Sequence, residues 1–388
     1  MDDVIIIGGA ITGSSIAYHL ARDGRAGRVT VIERDPTYEF ASTPRSLGGV
    51  RRQFSLAENV LMSHYNLEVY TTFEALMAVD GEPAPIDHRR QGYLFLARGR
   101  EQVRVLEENR RIQRELGVTS VEVLEAGEIK ARFPSLNVDD IDAGSFGAED
   151  GWIDPYSALQ GFRRKAKSLG VEYVADEVVA IERGAGGVEA VRLASSARRR
   201  ADVFVCAAGA WSAAVAAMIG MALPVEPVRR NVYFFEIRGT LEPLPLTIDP
   251  TGLYFRPEGA GYVCGRSKAD EPAGVNFEVD YEWFEADVWP RLAHRVPAFE
   301  ALKPGRAWAG LYDLNRLDEN LIIGPWEGAC DNFYIACGFS GHGLQQAPSV
   351  GRAMAELILD GGYVTLDLSR MSYRRVIDNA PLHESGIV

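Results

Sequence analysis

Hydrophobic positions open the chain as one compact block. Val4-Ile5-Ile6-Ile7 is apolar at every position, the pattern of a strand buried on both faces in a parallel sheet. Gly8-Gly9 ends it. Ile16, Ala17, Leu20 and Ala21 then recur at helical spacing, which predicts a helix over 14–23 with Gly24 as its cap. Val29-Thr30-Val31-Ile32-Glu33 reads as a second strand that ends on an acid. Strand, glycine turn, helix and strand within about 33 residues make one right-handed βαβ unit.

The middle of the chain follows other patterns. Stretches 56–79 and 101–116 read as surface helices, and 92–96 and 225–237 as strands of an antiparallel sheet. Parallel-sheet character returns at 171–174, 202–206 and 332–337. The last of these runs into a glycine-rich turn and a final helix over about 347–359. A nucleotide-type domain is therefore interrupted by a second one. Residues 1–85, 145–222 and 320–388 are assigned to the first domain, and 86–144 and 223–319 to the second. No repeat, low-complexity tract or flexible linker breaks the pattern.

Composition narrows the classes. A chain of 388 residues with 47% hydrophobic and 24% charged residues has the make-up of a globular protein with two associated cores. Its net charge of −13 repels phosphates, which argues against nucleic acid or an anionic membrane as partner. Cys206, Cys264, Cys330 and Cys337 show no CxxC pair and no zinc spacing, so they read as free core thiols in a reducing compartment, and no metal site is expected. No apolar run reaches the ~18 residues of a membrane span. The acidic start, Met1-Asp2-Asp3, enters a strand at once and does not read as a signal peptide. The expectation is a cytoplasmic enzyme. Nothing in the pattern fixes an oligomeric state.

Chemistry enters at the turn Gly8-Gly9-Ala10-Ile11-Thr12-Gly13, which stands where a dinucleotide fingerprint belongs. The first glycine permits the tight turn, the middle position lets backbone approach a pyrophosphate, and the last lets helix and strand pack closely. The helix N-terminus then stabilises the diphosphate charge. Glu33 ends the second strand, where a carboxylate accepts from ribose hydroxyls. One position departs from the pattern: the middle glycine is Ala10, whose methyl would crowd the pyrophosphate.

The fingerprint does not separate NAD from FAD. Gly338-Phe339-Ser340-Gly341-His342-Gly343-Leu344-Gln345-Gln346-Ala347-Pro348 resembles the C-terminal flavin motif of the sarcosine oxidase, glycine oxidase and D-amino-acid oxidase family. So do Ser42-Thr43-Pro44-Arg45-Ser46-Leu47-Gly48-Gly49-Val50-Arg51, Ala207-Ala208-Gly209-Ala210-Trp211 and Asp150-Gly151-Trp152-Ile153-Asp154-Pro155. Together with the first βαβ unit, these motifs span most of the chain in the family's order. The branch they resemble most is that of dimethylglycine dehydrogenase-like proteins and a complex I assembly flavoprotein.

The resemblance implies an α/β fold, with a discontinuous FAD-binding Rossmann-type, glutathione reductase-like domain. A substrate domain with a mixed or antiparallel sheet and helices completes it. FAD contacts are implied for Gly8, Gly9, Ala10, Ile11, Thr12, Gly13, Glu33, Arg34, Ser42, Thr43, Arg45, Ser46, Gly48, Gly49 and Val178. They are implied also for Ala207, Ala208, Gly209, Trp211, Gly338, Ser340, Gly341, His342, Gly343, Leu344 and Gln345. Relatives tether flavin through a Cys or a His; those positions correspond to Gly310 and Arg45, which implies non-covalent FAD.

The family moves an α-hydrogen of an amino acid to flavin as hydride. Arg51 matches its substrate-carboxylate arginine, with Arg52 as a neighbouring candidate. Tyr254 and Arg256 lie on a strand whose alternation gives them one face, and that face, with Trp308 and Tyr312, is expected to line the cavity. His342 is expected beside the flavin. Gln345 stands where sarcosine oxidases bind carboxylate with a lysine, and the strand Tyr262-Val263-Cys264 carries no lysine where those oxidases place one, with Ser267 near the position of a family His. These losses favour a dehydrogenase passing electrons to a carrier over an oxidase using oxygen. The implied substrate is an N-substituted amino acid, oxidised to an imine that hydrolyses. Two alternatives remain: a 2-hydroxy acid of the hydroxyglutarate type as donor, or a flavin-binding assembly factor without turnover.

Overall fold

A computed structural model describes residues 1–385. The last three residues of the segment 320–388 lie outside the described residues. Val4–Ile7, buried at every position, is flanked in parallel by Val29–Glu33 and Val203–Cys206. The sheet extends to six strands in the order Ile322–Trp326, Cys330–Cys337, Val203–Cys206, Val4–Ile7, Val29–Glu33, Glu172–Ala175. Only Ile322–Trp326 runs antiparallel to its neighbour. Helices Ile11–Asp23, Ala57–Leu76, Pro155–Ser168 and Gly343–Asp360 contribute to the core on one side. The meander Val178–Gly184, Gly187–Leu193, Arg198–Arg200 and the helix Ser212–Ala217 pack on the other. Cover on both faces explains the unbroken apolar runs, each fully buried aliphatic side chain contributing about 1.5–3 kcal/mol.

A second sheet has eight strands, in the order Lys303–Asn315, Val225–Glu236, Gly261–Arg266, Leu253–Glu258, Leu246–Ile248, Tyr93–Ala97, Ala143–Gly147, Val121–Glu125. It is mixed, because Leu246–Ile248 pairs in parallel with Tyr93–Ala97 while the other neighbours are antiparallel. Its longest ladder, from Val225↔Asn315 to Glu236↔Lys303, reaches toward the first sheet. There Asn315 N–H donates to Ser340 Oγ at 3.0 Å.

Two expectations need correction. The helix expected on the surface at 56–79 is Ala57–Leu76, and much of it is buried. Its polar side chains serve helix–helix contact: Gln346 Nε2 donates to Asn59 Oδ1 at 3.0 Å, and Ser349 N–H to Asn66 Oδ1 at 2.8 Å. The helix expected from 347 begins at Gly343, so Pro348 lies inside it. Proline cannot donate to the Leu344 carbonyl four residues earlier. The Tyr70 hydroxyl donates to that oxygen instead, which satisfies the orphaned acceptor. Nor is this helix final, since a short turn of helix follows at Arg374–Ile377.

Candidate active site

The nucleotide turn is shaped by two glycines. Gly8 has φ +100°, and a Cβ there would stand 2.5 Å from the Ala207 carbonyl oxygen. A Cβ on Gly13 would stand 1.9 Å from the Gly8 carbonyl oxygen, so close packing of helix and strand demands glycine. Ala10, by contrast, has φ −66°, open to any residue, and caps the helix Ile11–Asp23. Its backbone needs no glycine, so the departure from the pattern costs no backbone strain. Glu33 accepts from Gly9 N–H at 2.7 Å and from Asp35 N–H at 2.9 Å. Burial raises its carboxyl above the usual range. Arg34 stacks on Trp211, 3.8 Å from the ring centre.

One continuous cavity runs from this turn to the second sheet. Gly8, Ala10, Ile11, Thr12, Glu33, Arg34, Val178, Ala207, Ala208, Gly209 and Trp211 line one end. Gly9 and Gly13 stand behind the wall. Ser42, Thr43, Arg45, Ser46, Gly48 and Gly49 line the middle. Here Ser42 Oγ donates to the Leu311 carbonyl at 2.6 Å, while Gly48 (φ +80°) backs onto the Ile153 carbonyl at a Cβ distance of 2.1 Å.

Ser340, Gly341, His342, Gly343, Leu344 and Gln345 close the cavity; Gly338 holds the turn from outside it. Asp313 organises that turn, accepting from Gly338 N–H at 2.8 Å and Phe339 N–H at 3.1 Å. Burial pushes its carboxyl up to about 6 against the pull of these donors. Gly341 (φ +101°) lets the Tyr312 ring close in, where a Cβ would meet it at 2.5 Å. The helix then starts at Gly343 with its first N–H groups free of intrahelical partners.

Arg51 is 7% exposed and packs against the rings of Phe54, Tyr93 and Phe95. Its Nε donates to the Gln53 carbonyl at 3.2 Å and Nη1 to Tyr93 Oη at 3.3 Å. Nη2 lies 3.0 Å from His342 Nε2. A guanidinium only donates, so Nε2 accepts and the imidazole proton sits on Nδ1. Burial, aided by the Arg51 charge, lowers the His342 pKa to about 3, so the ring is neutral. Gln345 Oε1 accepts from Arg51 N–H at 3.1 Å, which leaves its amide N–H groups as donors. Tyr254 reaches across Gly265, where a Cβ would stand 2.4 Å from its hydroxyl. Burial raises the pKa of Tyr93, Tyr254 and Tyr312, so all three are neutral donors.

The structure thus brings Arg51, Tyr254, Tyr312, His342 and Gln345 to one cavity. It does not bring Arg256, Arg52 or Trp308 there. Arg256 shares the face of Tyr254 as expected, but its Nε donates to the Leu47 carbonyl at 2.8 Å and its Nη1 pairs with Glu258. Arg52 pairs with Glu149 at 2.6 Å. Trp308 Nε1 donates to the Arg45 carbonyl at 2.9 Å. Sequence reasoning missed Tyr93, Arg230 and Asp313, all in the lining. For Arg230 a signal existed: in the strand Val225–Glu236, Arg229 and Arg230 must face opposite sides.

A glycine cradle that side chains would fill, a buried acid after the second strand and a helix N-terminus on one cavity define a dinucleotide-dependent α/β protein. The residues fit FAD, because the cavity continues past the nucleotide turn to a second donor-rich turn at Ser340–Gln345. The chain belongs to the FAD dependent oxidoreductase family, whose model matches residues 3–357. It is 42% identical to FAD-dependent oxidoreductase domain-containing protein 1 of Xenopus laevis, over 100% of this chain and 85% of that one. It is 28% identical to mitochondrial dimethylglycine dehydrogenase of Rattus norvegicus, over 92% of this chain and 43% of the relative. Among solved structures, L-proline dehydrogenase from P. horikoshii superposes with a TM-score of 0.88 at 29% identity, covering 98% and 99% of the two chains. No described helix is long and apolar enough to cross a membrane, and no cluster of potential metal ligands occurs among the described residues.

Proposed function

We propose that this protein is an FAD-dependent dehydrogenase that oxidises the C–N bond of an N-substituted amino acid. The observation that carries this reading is Arg51. Four arginines are buried among the described residues: Arg51, Arg256, Arg295 and Arg375. The last three are paired with Glu258, Asp249 and Asp318. Arg51 forms no ion pair among the described residues and lines the cavity, with the buried Asp150 carboxyl as a more distant neighbour. A buried cation without a direct ion pair is costly, and a substrate carboxylate supplies one.

FAD, when bound, accepts a hydride from the substrate carbon. The residues at the Ser340–Gln345 turn would hold the flavin, with the N–H groups of Gly343, Leu344 and Gln345 offered to developing negative charge. Arg51 and Gln345 hold the substrate carboxylate. Tyr254 and Tyr312 pack across it and exclude water. His342 is no base, since its Nε2 lone pair accepts from Arg51. The Asp313 carboxylate is turned onto backbone N–H groups. The substrate amine therefore binds in its neutral form.

Flavin is held non-covalently in this reading: none of the four cysteines lines the cavity, and Arg45 stands where relatives carry a tethering His. The acceptor is an electron carrier in preference to oxygen, because no lysine lines the cavity. The segments 1–85, 145–222 and 320–388 form the flavin half, and 86–144 with 223–319 the substrate half.

The test is anaerobic mixing of purified protein with a panel of N-methyl, secondary and tertiary amino acids. Bleaching of the oxidised flavin band, slow to recover in air but fast with an artificial electron acceptor, is the expected result. A band that stays oxidised across the whole panel would refute the reading.

A further inference from the structure

Four arginines line the cavity, and their partners separate them. Arg34 lies 3.9 Å from Glu177 and stacks on Trp211. Arg45 spends Nε on the Glu39 carbonyl and Nη1 on the Ala309 carbonyl, with its guanidinium near the rings of Phe40 and Phe277. Arg51 is the cation already described. Arg230 is the fourth, and nothing above explains it.

Its neighbour Arg229, on the opposite face of the strand, has two acids, Glu271 at 2.7 Å and Asp280 at 3.8 Å. Arg230 forms no ion pair among the described residues. Its Nη1 donates to the Arg229 carbonyl at 3.0 Å, and its buried Nε has no hydrogen-bond partner. Leaving such a donor unsatisfied costs about 1–3 kcal/mol. Its guanidinium lies 4.8 Å from the Tyr312 ring centre. The strand partner opposite it is Gly310, which brings no side chain of its own. Tyr312 thus stands within electrostatic reach of two cations, Arg51 and Arg230, neither of which forms an ion pair among the described residues. A single carboxylate on Arg51 leaves the second charge and its donors unanswered.

We propose that the substrate carries two carboxylates, the one beside the reacting carbon held by Arg51 and Gln345, and a second, at its far end, held by Arg230. This rests on the cavity being the substrate site of the function proposed above. The class it implies is a dicarboxylic secondary amino acid, such as an N-carboxyalkyl amino acid. A dianion meets long-range repulsion from a chain of net charge −13, so local cations must supply the attraction.

The test uses the FAD-loaded protein and needs no turnover. The flavin band is titrated with unreactive dicarboxylates, malonate through adipate, beside monocarboxylates of equal length. The expected result is one chain length at which the dicarboxylate binds at least about tenfold tighter, a preference that Arg230→Met abolishes and Arg230→Lys partly restores. A ratio near one at every length in the wild-type protein overturns the proposal. So does a preference that neither substitution changes. Anaerobic reduction then separates the two readings. If dicarboxylates bind preferentially but only 2-hydroxyglutarate, and no amine, bleaches the flavin, the C–N assignment falls and the two-anion site stands.

Discussion

Removing the Arg51 guanidinium probes the substrate site most directly. A guanidinium has five N–H donors. Three are committed, to the Gln53 carbonyl, Tyr93 Oη and His342 Nε2. Five less three leaves two, one on each terminal nitrogen, the fork that takes a carboxylate bidentately. Two charge-assisted hydrogen bonds at about 1.5–3 kcal/mol each give about 3–6 kcal/mol, or about 10²- to 10⁴-fold in affinity. The expectation for Arg51→Met is therefore a rise of that size in the Kd of a carboxylate ligand, read by anaerobic titration of the flavin band. Arg51→Lys keeps the charge and loses the fork, so it should fall between the two. A second readout checks that the local structure survives. Arg51 is the lesser of two forces depressing His342, so in Arg51→Met the imidazole should titrate above about 3 yet below 6.5, because burial persists. If both variants bind carboxylates within about threefold of wild type, Arg51 is not the carboxylate anchor and the assignment of this end of the cavity fails.

Other consequences follow from the same geometry. Gly341→Ala should displace the Tyr312 ring and strain a backbone at φ +101°, so flavin retention after gel filtration should drop sharply; full retention would count against the tight turn. Tyr70→Phe should lower stability by about 1–3 kcal/mol in urea titration, because the Leu344 carbonyl loses its donor and Pro348 cannot replace it. His19, depressed by burial to about 3, is protonated in the unfolded chain but not in the folded one between pH 6.5 and 3. Its contribution is therefore fully present above pH 6.5 and is lost as pH falls through that window. His19→Gln should reduce the slope of stability against pH there by up to about 1.4 kcal/mol per pH unit, with no change in slope above pH 7. Finally, the pH profile of flavin reduction should follow the substrate amine, with no inflection from His342, which is already neutral at 6.5, and with Asp313 able to contribute a step near 6.

What could be read ahead of the structure divides along physical lines. The βαβ unit was legible because three local signals coincide in it: a strand apolar on both faces, glycines with no room for Cβ, and an acid at the next strand end. At the middle position of the fingerprint the backbone of Ala10 has an ordinary negative φ, which the letters alone do not show. The helix Ala57–Leu76 looked like a surface element because its polar residues carry no sign of being hydrogen-bonded to another helix. The start of Gly343–Asp360 was hidden by Pro348, whose defect is repaired from Tyr70, far away in sequence. Arg256 shows the limit of strand alternation. Period two gives the face correctly and says nothing of Leu47 or Glu258, which capture the side chain first.

Charge bookkeeping explains why the site stands out in the folded chain and not along the sequence. Arg229 and Arg230 are indistinguishable as letters; folding gives one two acids and the other an open cavity with an unmatched donor. The same contrast separates Arg51 from Arg295 and Arg375, which are as deeply buried but paired. Among the four buried arginines only Arg51 forms no ion pair with the described residues, and the half-buried Arg230 stands over the Tyr312 ring in the same cavity. A pairing rule kept by the other three buried arginines and broken at Arg51, with a second unpaired cation lining the same cavity, marks a place shaped for an anion that the chain does not itself provide.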